Sequence, residues 1–417
     1  MEIGLLILLF SVSAYSMLAK KLSTTIITAP MVFLGIGFAV SQAGLINIGD
    51  AHETVYLIAE ISLVVLLFLD ASQINLRRLK RQNTWPLRML LIGLPLSILI
   101  GTGFAYLFFP QWPWAMLALV AAILAPTDAA LGQAVVSNES VPLNERQSLS
   151  VESGLNDGLA LPVILFFASI VAMETGSQEN EMSWLVFGFS QIFIGILVGA
   201  FMGFLSGRLF LYTESKKISS TIYEGIGVLA LTGTSYLMAS LLGGNGFISA
   251  FVAGLAFGNI VKGHCRFIYQ FTESEGQILI WTSFVIIGLG LLPSAIEHLT
   301  LPVVGYILVS IFIVRPLAIY LSLIGTKAKV LTKVFMGFFG PRGLATALFA
   351  LIISKDILGE YGHSVLIIAI NAVWMSTLIH GIAAAPMANW YGAKIKVLKI
   401  KSRELAKLKK KVAIEPK

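Results

Sequence analysis

Residues 119–136, LVAAILAPTDAALGQAVV, and 151–167, VESGLNDGLALPVILFF, decide how this chain folds. Both are long apolar stretches that carry groups an apolar stretch should exclude. In the first, Ala125-Pro126-Thr127-Asp128 interrupts the run. Its proline removes a backbone donor and frees carbonyls of the preceding turn. In the second, Glu152, Ser153, Asn156 and Asp157 lie within six residues. On a helix Ser153 and Asp157 are four apart and share one face, while Glu152 and Asn156 share the neighbouring face. An ionised side chain at the centre of a bilayer costs at least ~2.5–3.5 kcal/mol, so each such group points to function.

The rest of the chain supplies the bilayer context. Of 417 residues, 57% are hydrophobic and 12% charged, with a mean hydropathy of +0.86, far from the soluble range. Apolar runs fall at about 3–19, 24–41, 54–71, 87–109, 112–136, 146–172, 184–211, 222–242, 246–261, 276–293, 302–324, 330–353 and 363–388. Barrel strands would be about ten residues long and strictly alternating. These runs are apolar all round, so the expected fold is an all-α membrane protein with about 13 transmembrane helices. Only Glu2 precedes the first run, and Lys20 and Lys21 follow it, the reverse of a secretory leader; the run is expected to be retained. The single cysteine, Cys265, excludes a disulfide framework, and no metal-binding cluster of His and Cys is present.

Cytoplasmic loops hold an excess of Lys and Arg. With the N-terminus outside, the inner loops and tail take Lys20, Lys21, Arg77, Arg78, Lys80, Arg81, Arg88, Arg146, Arg208, Lys216, Lys217, Lys262, Arg266, Lys327, Lys329, Lys333 and ten from Lys394 to Lys417, or 26 of 29. Lys355 falls outside, where Asp50, Glu53, Glu174, Glu179 and Glu181 also lie. Arg315 and Arg342 fall inside apolar runs. The net charge of +7 thus follows topology, and no nucleic-acid partner is implied. The tail alternates Lys with Ile, Val and Leu, as either an amphipathic helix on the inner leaflet or an ordinary solvated tail.

The twelfth run is broken by Gly340-Pro341-Arg342-Gly343, seven spans after the fifth. Paired Gly/Pro interruptions in two halves point to a transporter of inverted repeats whose site lies where two broken helices cross. The repeats would be about 1–172 and 222–388 within a membrane domain 1–393, followed by a basic tail 394–417. His380 and Glu60 read as satisfied core groups. Asp70 is either a residue of a cytoplasmic funnel or an interfacial anchor.

APTDAALGQAVVSN (125–138), VESGLNDGLALPVILFF (151–167), GGNGFISAFVAGLAFG (243–258), FIVRPLAIY (312–320) and FFGPRGLATALFAL (338–351) together resemble the monovalent cation:proton antiporter family. The resemblance is to the branch with an Asn-Asp pair, the NhaP-type bacterial and NHE-type eukaryotic exchangers. The third span departs from it, with LFLDAS and Asp70 where many relatives carry an FEGG-like glutamate, and the long eukaryotic tail is missing. The resemblance implies an NhaA-like fold with spans 5 and 12 crossed, and a homodimer in a bacterial-type inner membrane. It implies that Asp157 is the proton- and ion-carrying carboxylate and that Asp128, Thr127 and Ser153 are further oxygen ligands for Na⁺. Glu152 would pair with Arg315, and Arg342 would be the basic residue at the second break.

Hard monovalent cations suit these oxygens. A carboxylate that binds either cation or H⁺, and must be neutral to cross a low-dielectric barrier, couples the two without ATP or a cofactor. Asn156 in place of a second aspartate leaves one fewer titrating group, so electroneutral 1:1 exchange by alternating access is expected. Na⁺ leads K⁺ and Li⁺ as the candidate cargo, with selectivity unranked by these motifs. An intramembrane aspartyl protease would also use two aspartates, but its YD and GxGD signatures are absent, as are GxSxG and HExxH. A passive cation channel is the other alternative, distinguished by flux without proton coupling.

Overall fold

The structure, a computed structural model, describes residues 2–22, 25–46, 52–76, 84–174, 181–265, 270, 275–357 and 359–412. No strand occurs among them. In chain order the helices are α1 (Glu2–Leu22), α2 (Ala29–Gln42), α3 (His52–Ser72), α4 (Thr84–Phe108), α5 (Trp114–Ile123), α6 (Ala129–Val136), α7 (Leu143–Glu174), α8 (Glu181–Ser215) and α9 (Thr221–Leu241). They continue with α10 (Gly246–Val261), α11 (Gly276–Glu297), α12 (Leu301–Ser322), α13 (Val330–Phe338), α14 (Leu344–Asp356) and α15 (Glu360–Val412).

Each apolar run falls on one helix or on a pair separated by a break. By length and composition, seven helices among the described residues are able to cross a membrane, accompanied by shorter apolar ones such as 29–42 and 246–261. The two expected interruptions are real, α5/α6 at Pro126 and α13/α14 at Pro341. Of the loop charges used for orientation, Arg77, Arg78, Lys80, Arg81, Arg266, Asp50 and Glu179 lie outside the described residues. The basic tail continues α15 as helix to Val412; residues 413–417 lie outside.

Apart from α1, which packs on α2, the helices sort into two groups by what they pack on. α2, α3, α8, α9, α10 and α11 pack chiefly on one another, and α4, α5, α6, α7 and α12–α15 form the second group. Small residues explain the close approaches in the first, because lipid gives helices no hydrophobic reason to associate and tight backbone packing must do so. Gly195, Gly199, Gly203 and Gly207 recur every four residues on α8, and a Cβ on Gly199 or Gly203 would strike the Ser249 or Ala253 carbonyl of α10. On α10, Gly254 and Gly258 meet the backbone of Phe68 and Ser72 in α3 in the same way.

Three helices contain one wide π-type turn each, at Met89–Gly93, Ile287–Leu291 and Ser310–Val314. Between the two groups, α3 and α11 face α6, α7 and α14, and the cavity described next lies there.

Candidate functional site

The two breaks meet. The Asp128 N–H donates to the Pro341 carbonyl at 2.8 Å, joining one interruption to the other. Four helix ends converge there, and each leaves backbone groups without an intrahelical partner. Asp128 serves the two positive ends. Its Oδ2 accepts the Leu344 N–H at 2.7 Å, at the start of α14, and its Oδ1 accepts the Leu131 N–H at 3.4 Å in the first turn of α6. Gly343 is required at this crossing, since a Cβ there would overlap the Asp128 carboxylate.

Arg342 serves the two negative ends. Its Nε donates to Leu124 O at 3.0 Å after α5, and Nη1 to Gly340 O at 2.8 Å after α13. Nη2 donates to both Ser310 O and Ser310 Oγ at 2.9 Å. A cation near helix C-termini is stabilised by the aligned peptide dipoles, and this one is 2% exposed. Its backbone N–H donates to Ser376 Oγ at 2.7 Å. Ser376 Oγ lies 3.0 Å from His380 Nδ1, and His380 Nε2 lies 3.0 Å from the Phe338 carbonyl. His380 Nδ1 also lies 3.0 Å from the Ser376 carbonyl, so both ring nitrogens have partners. His380 is thus a satisfied core group, as expected.

The cluster on α7 divides by face. Glu152 Oε2 accepts from Arg315 Nη2 at 2.9 Å with both side chains buried, and a Cβ on Gly340 would overlap that guanidinium. Asn156 Nδ2 donates to Thr127 Oγ1 at 2.6 Å, and Thr127 Oγ1 lies 3.0 Å from Ser153 Oγ. Asn156 Oδ1 and Asp157 Oδ1 are both buried without a hydrogen-bond partner, and of the two residues Asp157 borders the cavity described next. Buried polar oxygens are nearly always partnered, so an orphan needs a reason.

A cavity of about 130 Å³ supplies the setting, lined by Asp70, Asp128, Ser153 and Asp157 together with Gln133 and Gln277. Of the expected ligand set, Asp128, Ser153 and Asp157 therefore reach one space, while Thr127 lies one hydrogen bond behind it. Asp70 joins them, so three carboxylates share the cavity. Glu60 faces elsewhere and accepts a bond from the Tyr236 hydroxyl of α9. Gln133 and Gln277 went unnoticed in the sequence; Gln133 had a signal, lying five residues after Asp128 on the helix that follows the break. Among the described residues no cluster of His, Cys, Asp and Glu is arranged for a tightly held metal ion.

Crossed broken helices around buried carboxylates define the secondary-transporter class. The transmembrane sodium/hydrogen exchanger family matches residues 5–390, and the chain belongs to that family. The K⁺/H⁺ antiporter NhaP of Alkalimonas amylolytica is 26% identical over 93% of this chain and 67% of its own length. The K⁺/H⁺ antiporter NhaP2 of Shewanella oneidensis is 28% identical over 81% of this chain, which spans only 58% of that relative. In fold, the chain resembles the sodium proton antiporter MjNhaP1 of Methanocaldococcus jannaschii, with a TM-score of 0.78 and 21% identity over 94% of this chain and 98% of that one.

Proposed function

We propose that this chain is a secondary antiporter exchanging a monovalent cation for H⁺, with Asp157 as the carboxylate that carries either ion. The observation that carries the reading is the orphaned Asp157 Oδ1 at a cavity shared with Asp128, Asp70 and Ser153. A carboxylate oxygen without a protein partner is able to accept a cation or a proton in turn, and either one removes the charge that bars it from the apolar barrier. Asp128 and Ser153 complete the ligand set for Na⁺ or another hard monovalent cation, and Thr127 holds Ser153 in place. Family membership and relatives named as K⁺/H⁺ antiporters support exchange, and they leave Na⁺ and K⁺ as rival cargoes.

The supporting residues act on geometry. Glu152 and Arg315 tie α7 to α12, Asn156 fixes Thr127, and Arg342 closes the carbonyl ends of both breaks. Asp70, at the end of α3 that leads to the basic loop, is the funnel residue on the cytoplasmic side. Alternating access follows from two helix groups with the site between them. We further assign repeats at about 1–172 and 222–388, an outside N-terminus with the C-terminus cytoplasmic, a bacterial-type inner membrane and a homodimer. These assignments rest on the paired breaks, the distribution of Lys and Arg, and the family.

Proton flux in proteoliposomes, recorded while chloride salts of Na⁺, K⁺ and Li⁺ are added in turn, tests the reading. Cation-dependent alkalinisation or acidification is expected. Cation flux without proton movement would instead identify a channel.

A further inference from the structure

The cavity lies along one end of the seam between α3 and α14, and the groups at the other end of the same seam do not line it. On α3, Tyr56, Glu60, Leu63, Leu67 and Asp70 are spaced four, three, four and three apart and share one face. On α14, Leu344, Leu348, Ile352 and Lys355 do the same. The helices run antiparallel along this seam, since Asp70 and Leu344 both line the cavity while Lys355 Nζ sits 3.4 Å from the Tyr56 ring centroid at the far end. At 1.5 Å per residue, Tyr56 is about 21 Å along the axis from Asp70. Leu63 and Leu67 line the cavity together with Asp70, and Leu348, which does not, is buried on the facing helix.

Glu60 does not engage Lys355, because it takes the Tyr236 hydroxyl within its own helix group. The ammonium of Lys355 therefore has the π-face of Tyr56 as its described partner across the boundary. Lys355 is exposed and Tyr56 half-buried, and a cation over an aromatic face is attracted by the ring quadrupole at such exposed sites too. The contact joins α3 of one helix group to α14 of the other, the two groups that alternating access must separate on this side.

We propose that Lys355 and Tyr56 form a latch that holds the α3–α14 seam shut on the face opposite the cavity, external in the orientation given above. This rests on the alternating-access reading. The latch sits beyond the leucine end of the cavity, places a fixed positive charge where an external cation would enter, and releases when α14 moves relative to α3. It keeps the site open to one side only.

The test uses the full chain in liposomes or vesicles, with Cys265→Ala and a single reporter, Leu348→Cys or, should that variant fold poorly, Ile352→Cys. Labelling by a membrane-impermeant thiol reagent applied on the Tyr56 side is followed with time. Tyr56→Leu and Lys355→Gln should each raise the labelling rate about two- to fivefold, the range set by losing one exposed cation–π contact. Tyr56→Phe keeps the ring and should leave the rate unchanged. Equal labelling in all variants, or a rise with Tyr56→Phe as large as with Tyr56→Leu, would overturn the latch. Labelling needs no transport, so absence of cation-dependent proton flux in the unsubstituted protein would count against the antiporter reading and leave this result standing.

Discussion

Glu152 and Asp157 lie five residues apart on one helix, and their surroundings are opposite. Glu152 is 3% exposed and paired with Arg315 through one oxygen, whereas Asp157 borders the cavity with an oxygen that nothing in the protein holds. A buried carboxylate that is paired holds helices together; one that is left open is available to cargo. The two substitutions to the neutral amide are nearly identical in size, so they separate these roles cleanly.

The largest effect is expected on transport at Asp157. Asp157→Asn should reduce cation-dependent proton flux to that of empty liposomes while thermal stability stays within about 0.5 kcal/mol of the parent, as for a change outside any packed network. Normal flux in the purified variant would remove Asp157 from the ion pathway. Asp128→Asn should also abolish flux, but with a measurable loss of melting temperature, because Asp128 accepts bonds from two helix starts.

Glu152→Gln should behave the other way, costing ~3–5 kcal/mol because Arg315 is left as an uncompensated buried charge. Arg315→Gln should cost a similar amount, and the double substitution should recover part of it. Strict additivity of the two losses in thermal or denaturant unfolding would mean that the pair is not coupled.

Arg342 sharpens the contrast from the cationic side. It is as buried as Arg315, yet carbonyls and one hydroxyl receive all of its described side-chain bonds. Arg342→Gln should therefore cost at least ~3 kcal/mol, since each abandoned buried carbonyl costs about 1–3 kcal/mol. Unlike Arg315, it should not be rescued by Glu152→Gln, and rescue in unfolding experiments would show that the two cations share one carboxylate.

The smallest effect concerns voltage. With Asn156 engaged by Thr127 and unable to titrate, one carboxylate should exchange one cation for one proton. An imposed membrane potential should then leave the reversal point of flux in proteoliposomes unchanged. A voltage-dependent reversal would require a second proton carrier, with Asp128 and Asp70 the nearest carboxylates at the cavity.

Much of this was legible in the chain because lipid punishes polar groups. Pro126, Pro341 and the ESGLND cluster stood out against apolar surroundings, and the Glu152–Arg315 pair followed once the family resemblance was read. What stayed hidden depends on contacts between distant segments. The partners of Arg342 are mostly main-chain carbonyls from Leu124, Gly340 and Ser310, and a carbonyl has no side-chain signature. Asp70 reads as either a funnel residue or an interfacial anchor until α3 is placed against α7 and α14. Lys355 on Tyr56 was invisible for the same reason.

The wide turn at Ser310–Val314 ends one residue before Arg315. Each residue of a regular helix advances about 100° around the axis, and a π-turn accommodates one residue more than the α pattern. The turn therefore sets the rotational phase of everything after it in α12, including which way Arg315 points. Inserting one more apolar residue beside Ile313, beyond the one the turn already accommodates, would leave hydropathy and length nearly untouched, yet swing Arg315 about 100° away from Glu152 and toward neighbouring helices or lipid. In this helix the frame of counting, more than the identity of the letters, keeps a buried charge in register.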